Sequence, residues 1–210
     1  MARKTAQKES RNRIPTIIGA GLTEQWYFTH LRNIFNFRLK VKPRYFGKED
    51  IQTIEKRIKM VLSDGGIAIC VFDTDVTTWN KAESDKLDML RKKYENNKDV
   101  VLCDSMPSIE YWFLLHYCNT RKHFGTSKAV IGSLSKFLPT YSKTENYLRN
   151  QQWVELLSSD GKLDNAYNHT KLSRDEDASY SHIDKALDLI GYQHPETQSI
   201  KSSVYQKHNN

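Results

Sequence analysis

The chain has 210 residues, 38% hydrophobic and 27% charged, which is enough for one α/β domain with a real core and excludes a disordered or fibrous chain. No apolar run approaches the ~20 residues of a membrane span, so no membrane partner is expected. The formal charge of +7 favours an anionic partner, nucleic acid first, over a merely basic soluble protein.

Residues 1–13, MARKTAQKESRNR, read as a basic polar arm. They lack the apolar stretch of a secretory signal. A single domain is expected over 14–194, and 195–210 read as a polar, mobile tail. Cys70, Cys103 and Cys118 lie in apolar runs and form no CxxC pair, as reduced core residues of a cytoplasmic protein do.

A short strand is expected at about 14–18, then a helix from about Thr23 to Phe35. Its apolar stripe would be Trp26, Tyr27, His30, Leu31, Ile34 and Phe35. In 37–46, Arg38, Lys40 and Lys42 alternate with Leu39 and Val41, the period of a half-buried strand. Pro43 places an edge or a bend there. A helix at 50–62 is ended by SDGG, residues 63–66. IAICVF, residues 67–72, reads as a central parallel strand. A charged helix at 81–97 and a strand at 99–104 follow. The alternation implies an α/β fold with a mainly parallel four-stranded sheet flanked by helices. After Pro107 the chain reads as helical, with helices at 108–118 and near 126–137, 144–158 and 182–191.

Three stretches carry candidate chemistry. DTD at 73–75 follows the central strand, and strand carboxyl ends face the binding crevice in such sheets. Asp73 and Asp75, two apart on an extended segment, can point one way and offer hard oxygen ligands to Mg²⁺ or Mn²⁺. An Asx-type turn is the plainer alternative. In TIIGAGLTEQWYF, residues 16–28, a strand runs into Gly19 and Gly21 and then a helix, a platform for phosphate or metal chemistry. Ala20, between the glycines, can neither ligate nor move a proton. Glu24 is either a ligand or a partner of the helix dipole. A carboxylate at position 20 would have formed an ExxxE pair with Glu24, facing the DTD. In PSIEYWFLLH, residues 107–116, Ser108 and Glu110 are either a helix cap and first-turn acid or a third oxygen pair. His116 is read as packed among Trp112, Phe113 and Leu115. Separately, residues 32–48 hold six Lys/Arg and no acid, with Phe35, Phe37, Tyr45 and Phe46 between them. Arg38, Lys40, Lys42 and Arg44 are the candidates to grip a nucleic-acid backbone, with aromatics to stack on bases. A solvated basic face over core aromatics is the alternative.

Together these stretches resemble a Toprim domain, specifically the RloB-like family of defence-associated proteins. The family pattern is E-G-x-T-E-x-x-Y-F, a later D-x-D, then P-S-x-E-x-W-x-L-L-H. Here they read A-G-L-T-E-Q-W-Y-F at 20–28, D-T-D at 73–75 and P-S-I-E-Y-W-F-L-L-H at 107–116. YSK at 141–143 resembles a further Y-x-K element carrying Lys143. The resemblance implies a Toprim-like fold and a Mg²⁺-dependent (or Mn²⁺-dependent) nuclease site acting on DNA, RNA or tRNA. The implied metal ligands are Glu24, Asp73, Asp75, Ser108 and Glu110, with Lys143 neutralising transition-state charge. It also implies an effector role in abortive infection beside an ABC/SMC-like ATPase, and leaves room for a homo-oligomer. Ala20 stands where the family has its catalytic glutamate, through a silencing substitution or natural loss, so catalysis should be impaired. The rival is a non-catalytic subunit that docks on nucleic acid or an ATPase. A topoisomerase- or primase-like strand transferase is disfavoured, because no tyrosine-bearing or zinc-binding module is evident.

Overall fold

The computed structural model describes residues 13–47, 50–75, 80–172 and 178–192. The expected mobile tail and residues 1–12 of the expected arm lie outside these. Arg13, the arm's last residue, is tied down. Its guanidinium donates to both carboxylate oxygens of Asp99, at 2.8 and 2.5 Å.

In chain order the elements are β1 (Pro15–Gly19), α1 (Leu22–Phe35), β2 (Lys40–Val41), a 3-10 turn (Pro43–Tyr45), α2 (Ile51–Ser63), β3 (Ile67–Asp73), α3 (Lys81–Tyr94) and β4 (Val100–Met106). There follow α4 (Glu110–Leu115), α5 (Ser127–Leu134), α6 (Glu145–Arg149), α7 (Gln152–Ser158), α8 (Lys162–Leu172), β5 (Tyr180–Ser181) and α9 (Ile183–Ile190). The sheet order is β2-β1-β3-β4-β5. The first four strands are parallel and β5 runs antiparallel to β4. The fold is therefore α/β with a mainly parallel sheet of five strands, one more than expected. β5 escapes a sequence reading because two residues show no period.

Central strands of a parallel sheet are covered on both faces and need apolar residues throughout. Ala68, Ile69, Cys70, Val71 and Phe72 of β3 are all buried. Ile17 and Ile18 of β1 join them in one apolar cluster that runs on through α4 to α9.

Local signals set most helix ends. Asp50 caps α2 by accepting from Thr53 N–H at 2.9 Å, and Asn80 caps α3 through Glu83 N–H at 3.3 Å. Gly65, at φ +67°, closes α2 in a conformation that side chains resist. The α1 stripe is turned from the expected one: Phe28 is buried in the core while Phe35 is 36% exposed.

The helix expected over 144–158 is two. Asn150 is extended between them, and its side chain accepts from Gln152 N–H at 3.0 Å, starting α7 afresh. The freed Leu148 carbonyl meets His30 Nε2 at 2.8 Å and accepts from Trp153 Nε1 at 3.2 Å. The helix expected over 108–118 shrinks to α4, since Tyr111 donates its hydroxyl to Thr120 C=O at 2.7 Å and turns the chain back. α8 is an addition to the expected helices. Its buried stripe is Leu163, Ala166 and Thr170, too small and polar to register as an apolar face.

Candidate functional site

The carboxyl ends of β1, β3 and β4 lie side by side, with Gly19 opposite Val71 and Asp73 opposite Ser105. Each strand ends at or near a candidate carboxylate. Glu24 sits in the first turn of α1, where Oε2 accepts from Gly21 N–H at 2.9 Å. This serves the open helix terminus and also fixes the side chain, which is 3% exposed. Asp73 ends β3, and Oδ1 accepts from Ile109 N–H at 2.8 Å, tying the strand to the loop before α4. Thr74 pins the same turn to β4. Its N–H and hydroxyl both donate to Ser105 C=O, at 3.0 and 3.1 Å.

Glu110 opens α4 and is fully buried. Its Oε2 accepts from the Ser108 hydroxyl at 2.5 Å. Its Oε1 accepts from the Tyr141 hydroxyl at 2.8 Å and from Lys143 Nζ at 2.8 Å. Ser108 caps no helix; its hydroxyl is spent on Glu110. The short YSK stretch thus delivers both remaining partners of this carboxylate. Sequence reasoning missed Tyr141 as a site residue, although the Y-x-K spacing contains it.

Glu24, Asp73, Glu110 and Lys143 feel one another's charge. Burial, reinforced by Glu110, pushes Glu24 up to about 7. Burial, then Glu24 and Glu110, holds Asp73 well above the usual carboxylate range. Lys143 is raised because Glu110, Asp73 and Glu24 together outweigh its own desolvation. The physical content is a charge deficit: three carboxylates share one ammonium, so protons are taken up where positive charge is short.

That deficit, met by hard oxygen donors, suits a small divalent cation. Mg²⁺ is commonly held by one or two carboxylates, with water and substrate phosphates filling the rest, so Glu24 and Asp73 fit its chemistry. Glu110 is already engaged by Ser108, Tyr141 and Lys143. Among the described residues no group of three His, Cys, Asp or Glu side chains is arranged to hold a metal ion. Asp75, just past β3, is half-buried and follows directly on the turn that Thr74 pins.

Ala20 differs from its expectation. α1 starts only at Leu22, so position 20 precedes the helix and does not stack one turn above Glu24. Its methyl group is buried, at 1% exposure, rather than open to a crevice. Its backbone is a junction: N–H donates to Val71 C=O at 3.2 Å, and its C=O accepts from Gly47 N–H at 3.2 Å. The second bond brings the end of the basic segment to the carboxylate site. Arg57 reinforces it, donating to Gly19 C=O at 3.2 Å and Phe46 C=O at 2.8 Å.

The basic segment keeps its alternation but not its length as a strand, since β2 spans Lys40–Val41 alone. Arg38, Lys40, Lys42 and Arg44 are exposed, while Leu39 points inward. Pro43 opens the 3-10 turn, so the expected bend is real. Of the four interleaved aromatics, Phe35 is exposed and Phe37 half-buried. Tyr45 and Phe46 are buried, and Phe35 and Phe37 stack on each other with centroids 5.4 Å apart. Arg44 lies over the Tyr45 ring, 4.8 Å from its centroid.

His116 is fully buried, edge-on to Trp112 with centroids 5.1 Å apart. Its Nδ1 is 2.6 Å from Leu157 C=O, and burial pushes the imidazole down to about 3. It is a packing residue, as its apolar neighbours suggested. Sequence reasoning also missed a second polar cluster, around Asp104 on β4. Burial would raise this carboxylate, but His182 Nδ1 at 2.8 Å and Arg91 Nη2 at 2.5 Å hold it well below the usual range. Tyr180 adds a hydroxyl bond at 3.1 Å.

A mainly parallel sheet whose strand ends gather three acids and a lysine, with a basic segment at its edge, defines an α/β protein with an acidic strand-end site. The RloB-like protein family matches residues 16–197, and the chain belongs to that family. It matches no curated protein and no solved structure. Among the described residues no helix is long and apolar enough to cross a membrane.

Proposed function

We propose that the chain is built on a Mg²⁺-dependent phosphodiester-cleaving site of Toprim type, acting on DNA or RNA as the effector of an anti-phage abortive-infection system, with catalysis impaired by Ala20. The observation that carries this reading is the cluster of buried Glu24 and Glu110 with half-buried Asp73 around Lys143, at the carboxyl ends of parallel strands. Bound Mg²⁺ (or Mn²⁺) would polarise the scissile phosphate and stabilise the attacking and leaving oxygens. Glu24 and Asp73 would hold it, with Asp75, two residues on in the chain, as a further candidate ligand. Lys143 keeps Glu110 paired and offers positive charge to a phosphate. Arg38, Lys40, Lys42 and Arg44 form an exposed basic run, and Gly47 three residues on is bonded to Ala20, which suits a nucleic-acid backbone led toward the acids. An ATPase partner fits the family resemblance and has no support from the geometry.

A second reading rests on its own observation: position 20 is a buried alanine, and no three-ligand metal group is arranged among the described residues. A non-catalytic subunit that binds nucleic acid or an ATPase would need neither. The deciding experiment incubates the Ala20→Glu protein with DNA and with tRNA pools, with and without Mg²⁺. Mg²⁺-dependent cleavage, lost in EDTA and lost again on adding Asp73→Ala, supports the nuclease. A folded, metal-binding variant that cuts neither supports the binding subunit.

A further inference from the structure

β5 covers only the end of β4. Its two residues pair with Ser105 and Met106, and the chain then leaves the sheet as α9. Below that point β4 has β3 alone beside it among the described residues. Three bonds fix which way its backbone groups point. Ala68 N–H donates to Asp99 C=O at 2.8 Å, and Thr74 N–H to Ser105 C=O at 3.0 Å, so odd-numbered residues face β3. His182 N–H donates to Asp104 C=O at 2.9 Å from the other side. Because these groups alternate along a strand, even-numbered residues face away from β3. Val100 N–H is taken by Asn97 C=O at 3.1 Å. Leu102 therefore turns its N–H and C=O, with the Val100 C=O, away from β3 toward a side where no described residue's main chain pairs with them.

On that side lies a groove of about 590 Å³ between α3 and α9. Its floor includes Val100, Val101 and Leu102, and its rim carries Lys92 and Lys185, both exposed. Glu95 is the one acid there outside the Asp104 cluster. At the far end Arg91 and His182 are drawn onto Asp104. The groove thus combines one main-chain donor and two acceptors, an apolar floor and a lysine on each helix.

We propose that the open edge of β4 accepts an extended, acidic peptide segment of a partner protein as an added strand. Main-chain bonds to Leu102 and Val100 would give affinity, and glutamate or aspartate side chains at alternate positions would reach Lys92 and Lys185. A nucleic-acid strand is the weaker fit. It has no amide row to pair with Leu102, and its phosphates would face an apolar floor. Lysines can also serve simply to guard an edge against pairing, and the experiment separates that case.

A labelled peptide of alternating glutamate and valine is titrated onto the full chain by fluorescence anisotropy. It is compared with a copy N-methylated at alternate amides and with an oligothymidylate of equal charge. Amide exchange at Leu102 is followed by NMR. The unmodified peptide should bind saturably and slow Leu102 exchange about tenfold or more. N-methylation, which removes pairing donors and keeps charge, should weaken binding about tenfold. Lys92→Glu with Lys185→Glu should weaken it comparably, at unchanged melting temperature. Absence of saturable binding, equal affinity of the two peptides, or an oligothymidylate that alone occupies the groove each overturns the proposal. The N-methyl comparison needs no variant, so it stands even if the double substitution perturbs folding.

Discussion

Lys143 Nζ stands 2.8 Å from Glu110 Oε1, joining the helical C-terminal portion to the start of α4 through one oxygen. The carboxylate is fully buried while the lysine side chain is 46% exposed. Removing one partner of a buried pair costs about 3–5 kcal/mol because the other charge is stranded. Solvent access at Lys143 reduces this to about 1–2 kcal/mol. Lys143→Met should therefore lower the urea midpoint, and Glu110→Gln in the same background should recover part of the loss. Unchanged stability in Lys143→Met would mean that the ion pair is idle.

Glu24 gives a pH dependence of defined sign. Its folded pKa, about 7, lies above the usual carboxylate value, so the folded state holds a proton that the unfolded state has released. Stability then falls as pH rises from about 4.3 to about 7 and levels off beyond. In metal-free buffer, unfolding at about pH 5 and about pH 8 should differ by roughly 1–3 kcal/mol from this group. Glu24→Gln should flatten the difference. A slope that persists undiminished in the variant would assign it to other groups.

Metal binding should follow the same charge deficit. Mg²⁺ or Mn²⁺ should bind the present chain weakly, and Asp73→Ala with Asp75→Ala should abolish the calorimetric signal. Identical titrations would reduce the DTD stretch to a turn.

Ala20→Glu adds a fourth carboxylate beside a cluster already short of positive charge. Without divalent metal it should lower the melting temperature by some 2–4 °C for each kcal/mol of repulsion, and Mg²⁺ should restore it. If the added group ligates or moves a proton, cleavage should rise by about 10²–10⁴-fold. Stability indifferent to both the substitution and Mg²⁺ would place position 20 outside the site.

The basic run makes a salt-dependent prediction. Replacing Arg38, Lys40 and Lys42 by Gln should weaken duplex DNA binding. Its salt slope should become shallower by up to ~0.9 for each phosphate that is no longer neutralised. Identical slopes would mark an idle surface.

Much of this architecture is legible where period and chemistry agree. β3 announces itself as an unbroken apolar run, and α2 by its isoleucines with Asp50 and Gly65 at its ends. Ordered motifs mark Glu24, Asp73 and Glu110, and their strand-end positions follow from the parallel topology. What stays hidden depends on long-range contact. Asn150 caps α7 locally, but what favours the break over a continuous helix is distant, since the freed Leu148 carbonyl meets His30 of α1. The burial of Phe46 follows from its approach to Gly19, where an added Cβ would lie 2.4 Å from its ring. Asp104 reads as one more residue of a strand until Arg91, Tyr180 and His182 are folded around it.

The dependence of Glu110 on Tyr141 and Lys143 also sets an order of events on the ribosome. Domains fold largely from the amino terminus as they emerge, so β1 to β4 and all three acids exist before their counter-charge is synthesised. A nascent chain that has reached α4 can lay down most of its sheet, yet it holds a carboxylate cluster without an ammonium. The acidic cluster thus matures after the parallel strands that carry it, closed only when the segment bearing Tyr141 and Lys143 docks. A product terminated after Glu110 but before Tyr141 would contain every acid of the site and remain electrostatically incomplete.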